Sequence, residues 1–245
     1  MNKIRVIEIG GTHIRRADIV NGEVGQIKRR RTAHILLGNV IKSLKEFAQA
    51  GWSQDIEALT ILIAGPIDEN IVVGMPNFPN FPDNIDLKKE LNLDTPVFIY
   101  NDMTAAAVGM ASLLNTSKPF WSITWSTGLN AKYWDGEKIS IDRELGHELK
   151  INDLEAEALL GGRHMAGQAD KKHVVILAQF LLKLDQLAPS DAFVFKGAIA
   201  ESLIPIRNIQ NIIKNAFTKD IQIVLSPEPQ KDSFLGAWEL TQKAF

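Results

Sequence analysis

The sequence predicts an α/β protein of two similar lobes, and three observations carry that expectation. The first third runs strand, strand, strand, helix, strand, the order of a mixed sheet covered by helices. A hairpin whose turn sets a hydroxyl beside glycine occurs twice, at Gly10-Gly11-Thr12 and at Ser126-Thr127-Gly128. At 245 residues the chain has room for one large domain or two smaller ones.

Each element follows from periodicity and punctuation. Ile4, Val6 and Ile9 mark a strand over 3–9, followed by strands over 14–20 and 23–31, an amphipathic helix near 35–50 and a strand from Ala58 to Ala64. The segment from Met75 to Pro82 holds too much proline for a central strand or helix and reads as an ordered loop. Val97 to Tyr100 is a short strand leading into an alanine-rich helix that reaches about residue 113, with Asp102 as its N-cap. The pattern then restarts with strands at Trp121–Trp125 and Asn130–Trp134. Helices near 153–165 and 169–187, a strand at 191–196, a helix at 203–216, a strand at 221–225 and a helix at 232–245 complete it. Residues 1–114 are expected to form the first lobe and 115–231 the second, with 232–245 packing back on the first.

Composition excludes whole classes of chemistry. Lys plus Arg number 27 against 29 Asp plus Glu, a net charge of −2 that gives no footprint for nucleic acid or an anionic membrane. The one basic run, Lys28 to Arg31, reads as a solvated strand face. With no cysteine, the chain has no disulfide, no thiolate nucleophile and no cysteine-built zinc site. Met1 to Glu8 pass straight into a strand without an apolar signal core, so a cytoplasmic protein without a membrane anchor is expected.

Five stations carry polar chemistry. The glycines at 10 and 11 can take positive φ and bring backbone N–H groups close to a phosphate, Thr12 adds a hydroxyl donor, and Glu8 sets a carboxylate where a metal would sit. Paired glycines in a hairpin are also plain turn chemistry. Asp102, after a strand and at a helix start, lies at the lip of an α/β sheet where ligands bind. It can accept the proton of a hydroxyl that attacks phosphorus, and it can equally serve as a cap. Glu144-Leu145-Gly146-His147 offers a carboxylate and an imidazole suited to vicinal hydroxyls. Glu155 and Glu157 could each add an oxygen acceptor or simply favour a helix start. Thr127 and Gly128 offer donors to a second phosphate, and the turn at Gly197 leaves a flat base room to lie.

In this order the stations resemble the ROK family of sugar kinases, within the actin-like superfamily, over nearly the whole chain. Ile9-Gly10-Gly11-Thr12 is similar to the family's first phosphate loop, Pro76-Asn77-Phe78-Pro79 to its sugar loop, and Asn101-Asp102-Met103-Thr104-Ala105-Ala106-Ala107 to the segment that carries the base. Ser126-Thr127-Gly128 corresponds to the second phosphate loop, Glu144 to His147 to the Glu-x-Gly-His sugar motif, and Phe195 to Ser202 to the adenosine loop. The resemblance implies a two-lobed actin-like, ribonuclease H-like ATPase fold whose mixed sheets are covered by helices. It implies ATP-dependent transfer, with Mg2+, to the 6-hydroxyl of a hexose or N-acetylhexosamine, Asp102 being the general base. Gly65, Asn77, Asn101, Glu144, His147 and Glu157 would hold the sugar, and Gly10, Gly11, Thr12, Thr127, Gly128 and Gly197 the nucleotide. Glu157 is chosen over Glu155 because it stands five residues before Gly162, the family's Glu-x-x-x-x-Gly spacing.

Several positions depart from the family pattern. Glu8 replaces Asp at the position that contacts the metal through water, and the cysteine-rich zinc loop has no counterpart between His147 and Glu157. Asn130-Ala131 stands where glycines follow the second Thr-Gly. A homodimer is implied by the resemblance alone. A sugar-binding sensor of the same fold that transfers no phosphate is the alternative reading.

Overall fold

The computed structural model describes residues 1–10, 12–32, 39–75, 78, 81–162, 164–165, 170–204 and 207–245, with backbone alone at Lys171, Arg207 and Asn208. Gly11 and Asn77, both expected site residues, lie outside the described residues, as does the start of the helix expected from 35. The chain divides into two compact units, Met1–Gly109 with Ser233–Phe245, and Met110–Asp232.

In the first unit, β1 (Lys3–Ile9) pairs antiparallel with β2 (His13–Val20). The strand expected over 23–31 is two strands, β3 (Glu23–Val24) and β4 (Lys28–Arg31), both paired with β2. The break falls at Gly25, whose N–H donates to the Asp18 carbonyl at 3.0 Å. Helix α1 (Val40–Gln49), capped by the Asn39 side chain, leads to β5 (Ala58–Ile63), parallel to β1. A small sheet of β6 (Ile67–Asp68), β7 (Ile71–Val72) and β8 (Ile85–Asp86) follows, then α2 (Leu87–Leu91), β9 (Val97–Asn101) and α3 (Asp102–Leu114). The main sheet runs β3-β2-β1-β5-β9.

Period-2 alternation in β1 sends Ile7 and Ile9 to one face and Ile4 and Val6 to the other. The first face is covered by Leu44 and Phe47 of α1, the second by Phe234 and Ala237. Both faces are buried, so β5 reads as a nearly continuous apolar run, while β1 buries Arg5 and Glu8 among its apolar residues. Within the proline-rich loop, Met75 and Phe81 are buried in the core of this unit.

In the second unit, β10 (Phe120–Trp125), β11 (Leu129–Trp134) and β12 (Ile139–Ile141) form the antiparallel part of a sheet ordered β12-β11-β10-β15-β16. Helix α4 (Leu145–Glu148) comes next. The helix expected over 153–165 is instead a hairpin, β13 (Lys150–Ile151) and β14 (Leu154–Glu155), followed by the short α5 (Ala156–Leu160). Asn152 and Asp153 take φ of 50° and 66°, the left-handed pair of a tight hairpin turn, which a helix cannot contain. Helix α6 (Lys171–Leu187) starts at a capping box of Asp170 and His173. Strand β15 (Ala192–Lys196) precedes α7 (Ala198–Leu203) and α8 (Arg207–Lys214), two helices where one was expected over 203–216. After β16 (Gln222–Leu225), α9 (Asp232–Ala244) closes the chain.

Helix α9 packs on the first unit through small residues. Gly236 lies so close to α3 that a Cβ there would fall within van der Waals reach of the Ala105 carbonyl and the Gly109 nitrogen. Thr241 adds a hydroxyl bond to Thr60 at 2.8 Å. Among the described residues, no helix is long and apolar enough to cross a membrane.

Candidate active site

The carboxyl end of β9 is set by one amide. Asn101 Oδ1 accepts the N–H groups of Met103 at 3.0 Å and Thr104 at 3.2 Å, and its Nδ2 donates to the Gly65 carbonyl at 3.0 Å. Asn101 is therefore the cap of α3, and Asp102, expected in that role, is the first helical residue and half-buried. A cap of this kind stabilises a helix start by about 1 kcal/mol. Here it also ties the loop after β5 to the start of α3. Gly65 has no room for a side chain, because a Cβ would overlap the Gly74 carbonyl oxygen.

At the bend between β1 and β2, Gly10 does not take positive φ, and its N–H closes the hairpin on the His13 carbonyl at 3.1 Å. The buried Thr32 fixes the bend from behind: its hydroxyl donates to the Gly10 carbonyl at 2.8 Å and its N–H to the Thr12 carbonyl at 3.1 Å. What the bend presents outward is the exposed Thr12.

Glu8 is committed elsewhere. Its Oε2 accepts from Arg15 Nη2 at 2.5 Å and from the Ser233 hydroxyl at 2.7 Å, and the Arg15 guanidinium lies 5.2 Å from the Phe234 ring centroid. The guanidinium supplies the positive charge a divalent ion would bring, so these residues do not fit a metal at this position. Among the described residues, no group of three or more His, Cys, Asp or Glu could hold a metal ion.

In the second unit three glycines surround the second hydroxyl bend. Ser126 N–H donates to the Gly128 carbonyl at 2.8 Å, and Gly162 N–H donates to the Ser126 carbonyl at 2.8 Å. A Cβ on Gly162 would overlap Ser126 O, and one on Gly197, which takes φ of 103°, would crowd Trp125 O and Ser126 Cβ. Thr127 is exposed at the tip. Glu157, expected to face a sugar, is 3% exposed; its carboxylate accepts the Leu129 N–H and lies against Gly128 and Gly161. Replacing Glu157 with Ala strands the Leu129 N–H in the interior, and thermal unfolding should show a loss of about 1–3 kcal/mol.

The Glu-x-Gly-His segment is clamped onto β11. Asn130 Nδ2 donates to Glu144 Oε2 at 2.6 Å, and Asn130 Oδ1 accepts the Gly146 N–H at 3.3 Å. Two residues on and on the same face, Lys132, its side chain 2% exposed, sets its ammonium 2.6 Å from Asp142 Oδ1 and 3.6 Å from Glu144 Oε1. His147 Nδ1 stands 3.0 Å from Glu155 Oε2, with both side chains nearly half exposed. Donation from Nδ1 to this carboxylate leaves Nε2 of the neutral ring as an acceptor for a ligand hydroxyl.

The structure thus brings Glu144 next to Lys132 and Asn130, and His147 next to Glu155, and it sets Glu157 beside Gly146 with its carboxylate turned to the Leu129 N–H. Lys132 and the Arg15–Ser233 partners of Glu8 escaped sequence reasoning, and Glu155, weighed there as an oxygen acceptor, was passed over for Glu157. The i, i+2 spacing of Asn130 and Lys132 could have indicated a shared face, whereas Ser233, 225 positions from Glu8, leaves no local signal.

The inorganic polyphosphate/ATP-glucomannokinase of Arthrobacter sp. strain KM matches 99% of this chain and all of its own at 21% identity, with a TM-score of 0.79. A ROK family glucokinase from Streptomyces griseus, solved with glucose and AMPPNP, matches 99% of this chain and all of its own at 20% identity and a TM-score of 0.80. A ROK family transcriptional regulator homologous to the E. coli MLC protein covers 98% of this chain at 16% identity and a TM-score of 0.72, with 78% of its own length matched. These likenesses show the mixed α/β, actin-like ATPase fold. No curated relative matches at the level of sequence. The family model for ROK proteins matches residues 5–149, more than half of the sequence, and the chain belongs to the ROK family.

Proposed function

We propose that this chain is an ATP-dependent kinase acting on the 6-hydroxyl of glucose, N-acetylglucosamine or N-acetylmannosamine. The observation that carries this reading is the junction of β9 and α3. Asn101 takes over the capping of the helix, so Asp102 stands at the sheet lip with its first-turn neighbours already capped. Asp102 would accept the hydroxyl proton as the oxygen attacks phosphorus, a role worth about 10²- to 10⁴-fold in rate. Glu144 and His147 would accept hydroxyl protons of the sugar. Glu155 takes the place first given to Glu157, because it orients the His147 ring. The exposed hydroxyls of Thr12 and Thr127, on bends fixed by Thr32 and by Gly162 and Gly197, would donate to nucleotide phosphates. Glu8 is given no metal in this reading.

A coupled assay with ATP and a panel of hexoses and N-acetylhexosamines tests it. Sugar-dependent ADP release supports the kinase. Sugar binding without release from any member of the panel would leave the non-catalytic sensor. Within the panel, His147→Ala and Glu155→Gln are expected to raise KM for the sugar by about tenfold, the worth of a hydrogen bond involving a charged group, and to leave KM for ATP unchanged.

A further inference from the structure

Strand β11 turns its two faces to different surroundings. Leu129, Ala131 and Tyr133 enter the apolar core of the second unit, while Asn130 and Lys132 alternate onto the opposite face, across from Thr124 and Ser122 of β10. The Lys132 side chain is buried there. Taking an ammonium out of water is offset only by close partners, and an apolar residue of the same volume often packs as stably. What the charge adds is direction.

The partners of Lys132 are consecutive in sequence. Its ammonium stands 2.6 Å from Asp142 Oδ1, donates to the Arg143 carbonyl at 3.2 Å and lies 3.6 Å from Glu144 Oε1. An ammonium carries three donors, so the two shorter contacts leave one N–H for Glu144. At 3.6 Å the charges attract without a full hydrogen bond, and Oε1 keeps its lone pairs for a ligand. Asn130 holds the other oxygen, donating from Nδ2 to Glu144 Oε2 at 2.6 Å. Both carboxylate oxygens are thus set from β11, an interior strand of its sheet, although the Glu144 side chain itself is 39% exposed. A glutamate left unheld at that exposure loses rotamer freedom when it binds; one already held does not.

We infer that Lys132 and Asn130 are positioning residues for the carboxylate of Glu144, fixing its direction before a sugar arrives and leaving Oε1 to accept a sugar hydroxyl. The inference rests on the reading of Glu144 as a sugar ligand in the proposed kinase. Lys132 is too deeply buried to touch the sugar itself, so it acts only through Glu144. Asn130 works the same way from the half-buried end of the strand, and it also accepts the Gly146 N–H, which keeps the segment after Glu144 against β11.

The test measures equilibrium sugar binding by the full chain, without nucleotide, across the panel of hexoses and N-acetylhexosamines. Lys132→Met is expected to weaken binding about tenfold, because a misdirected acceptor costs as much as a missing one. Asn130→Ala should also weaken it, and it carries the test alone if Lys132→Met fails to fold. In a Glu144→Gln background neither substitution should change binding by more than about twofold, since residues that act through one group are not additive. A merely structural role would leave the full loss in that background. The chain has no cysteine, so alkylating Lys132→Cys with bromoethylamine in denaturant is confined to that thiol; after refolding, the ammonium rebuilt at lysine length should restore most of the lost affinity. Parent-like binding by Lys132→Met, or losses that persist beside Glu144→Gln, overturns the inference and leaves the kinase reading standing. The expected pattern with no ADP released once ATP is added upholds the positioning and removes the kinase reading instead. A parent chain that binds no member of the panel removes both.

Discussion

Asp102→Asn should lower turnover with ATP by about 10²- to 10⁴-fold while the dissociation constant for the sugar stays within about twofold, because a general base acts on the transferring proton and not on ground-state binding. The substitution is nearly isosteric, and the capping bonds of α3 belong to Asn101, so the helix start keeps its support. Thermal unfolding should therefore move little. Rapid-quench measurement of a single turnover, beside equilibrium sugar binding, separates the two quantities. A variant that turns over within tenfold of the parent removes Asp102 from the chemistry; one that loses sugar binding along with rate assigns the residue to the architecture of the site.

Gly236→Ala is expected to be the most damaging single methyl in the first unit. Its Cβ would enter the envelope of the Ala105 carbonyl and crowd Gly109 N, both backbone atoms of a helix that cannot swing aside as a side chain would. Overpacking of this kind costs about 3 kcal/mol or more, and in a chain of this size each kcal/mol lowers Tm by roughly 2–4 °C. Differential scanning calorimetry should show the loss. An unchanged transition would mean that α9 and α3 separate at little cost, contrary to the packing of Phe234 and Ala237 against β1. Ala105→Gly removes no carbonyl and should not rescue the variant.

The sheets were legible from local pattern. Ile4, Val6 and Ile9 mark the strand β1 with its observed bounds, and the repeated hydroxyl–glycine bend marks one hairpin in each unit. What escaped depends on turns and on contacts distant in sequence. Glu155 and Glu157 look like the first turn of a helix, but the left-handed backbone at Asn152 and Asp153 makes the preceding segment a hairpin. That hairpin delivers Glu155 to His147 and sends Glu157 inward to Leu129. Spacing to a downstream glycine cannot register such a reversal. The burial of Lys132 among Asp142, Arg143 and Glu144 was equally hidden, since a lysine on a strand ordinarily faces water. The reading of Asp102 as cap failed because either residue of Asn101-Asp102 suits that role by type; backbone geometry gave it to Asn101.

The first unit is assembled from two separated stretches of polypeptide, with Ser233–Phe245 completing what Met1–Gly109 begins. During translation the uninterrupted stretch Met110–Asp232 is made before Ser233–Phe245, so it can acquire its structure while the amino-terminal sheet still waits for the helix that covers Ile4 and Val6. Until Ser233–Phe245 is made, the face of the sheet that carries Ile4 and Val6 lacks the cover of Phe234 and Ala237.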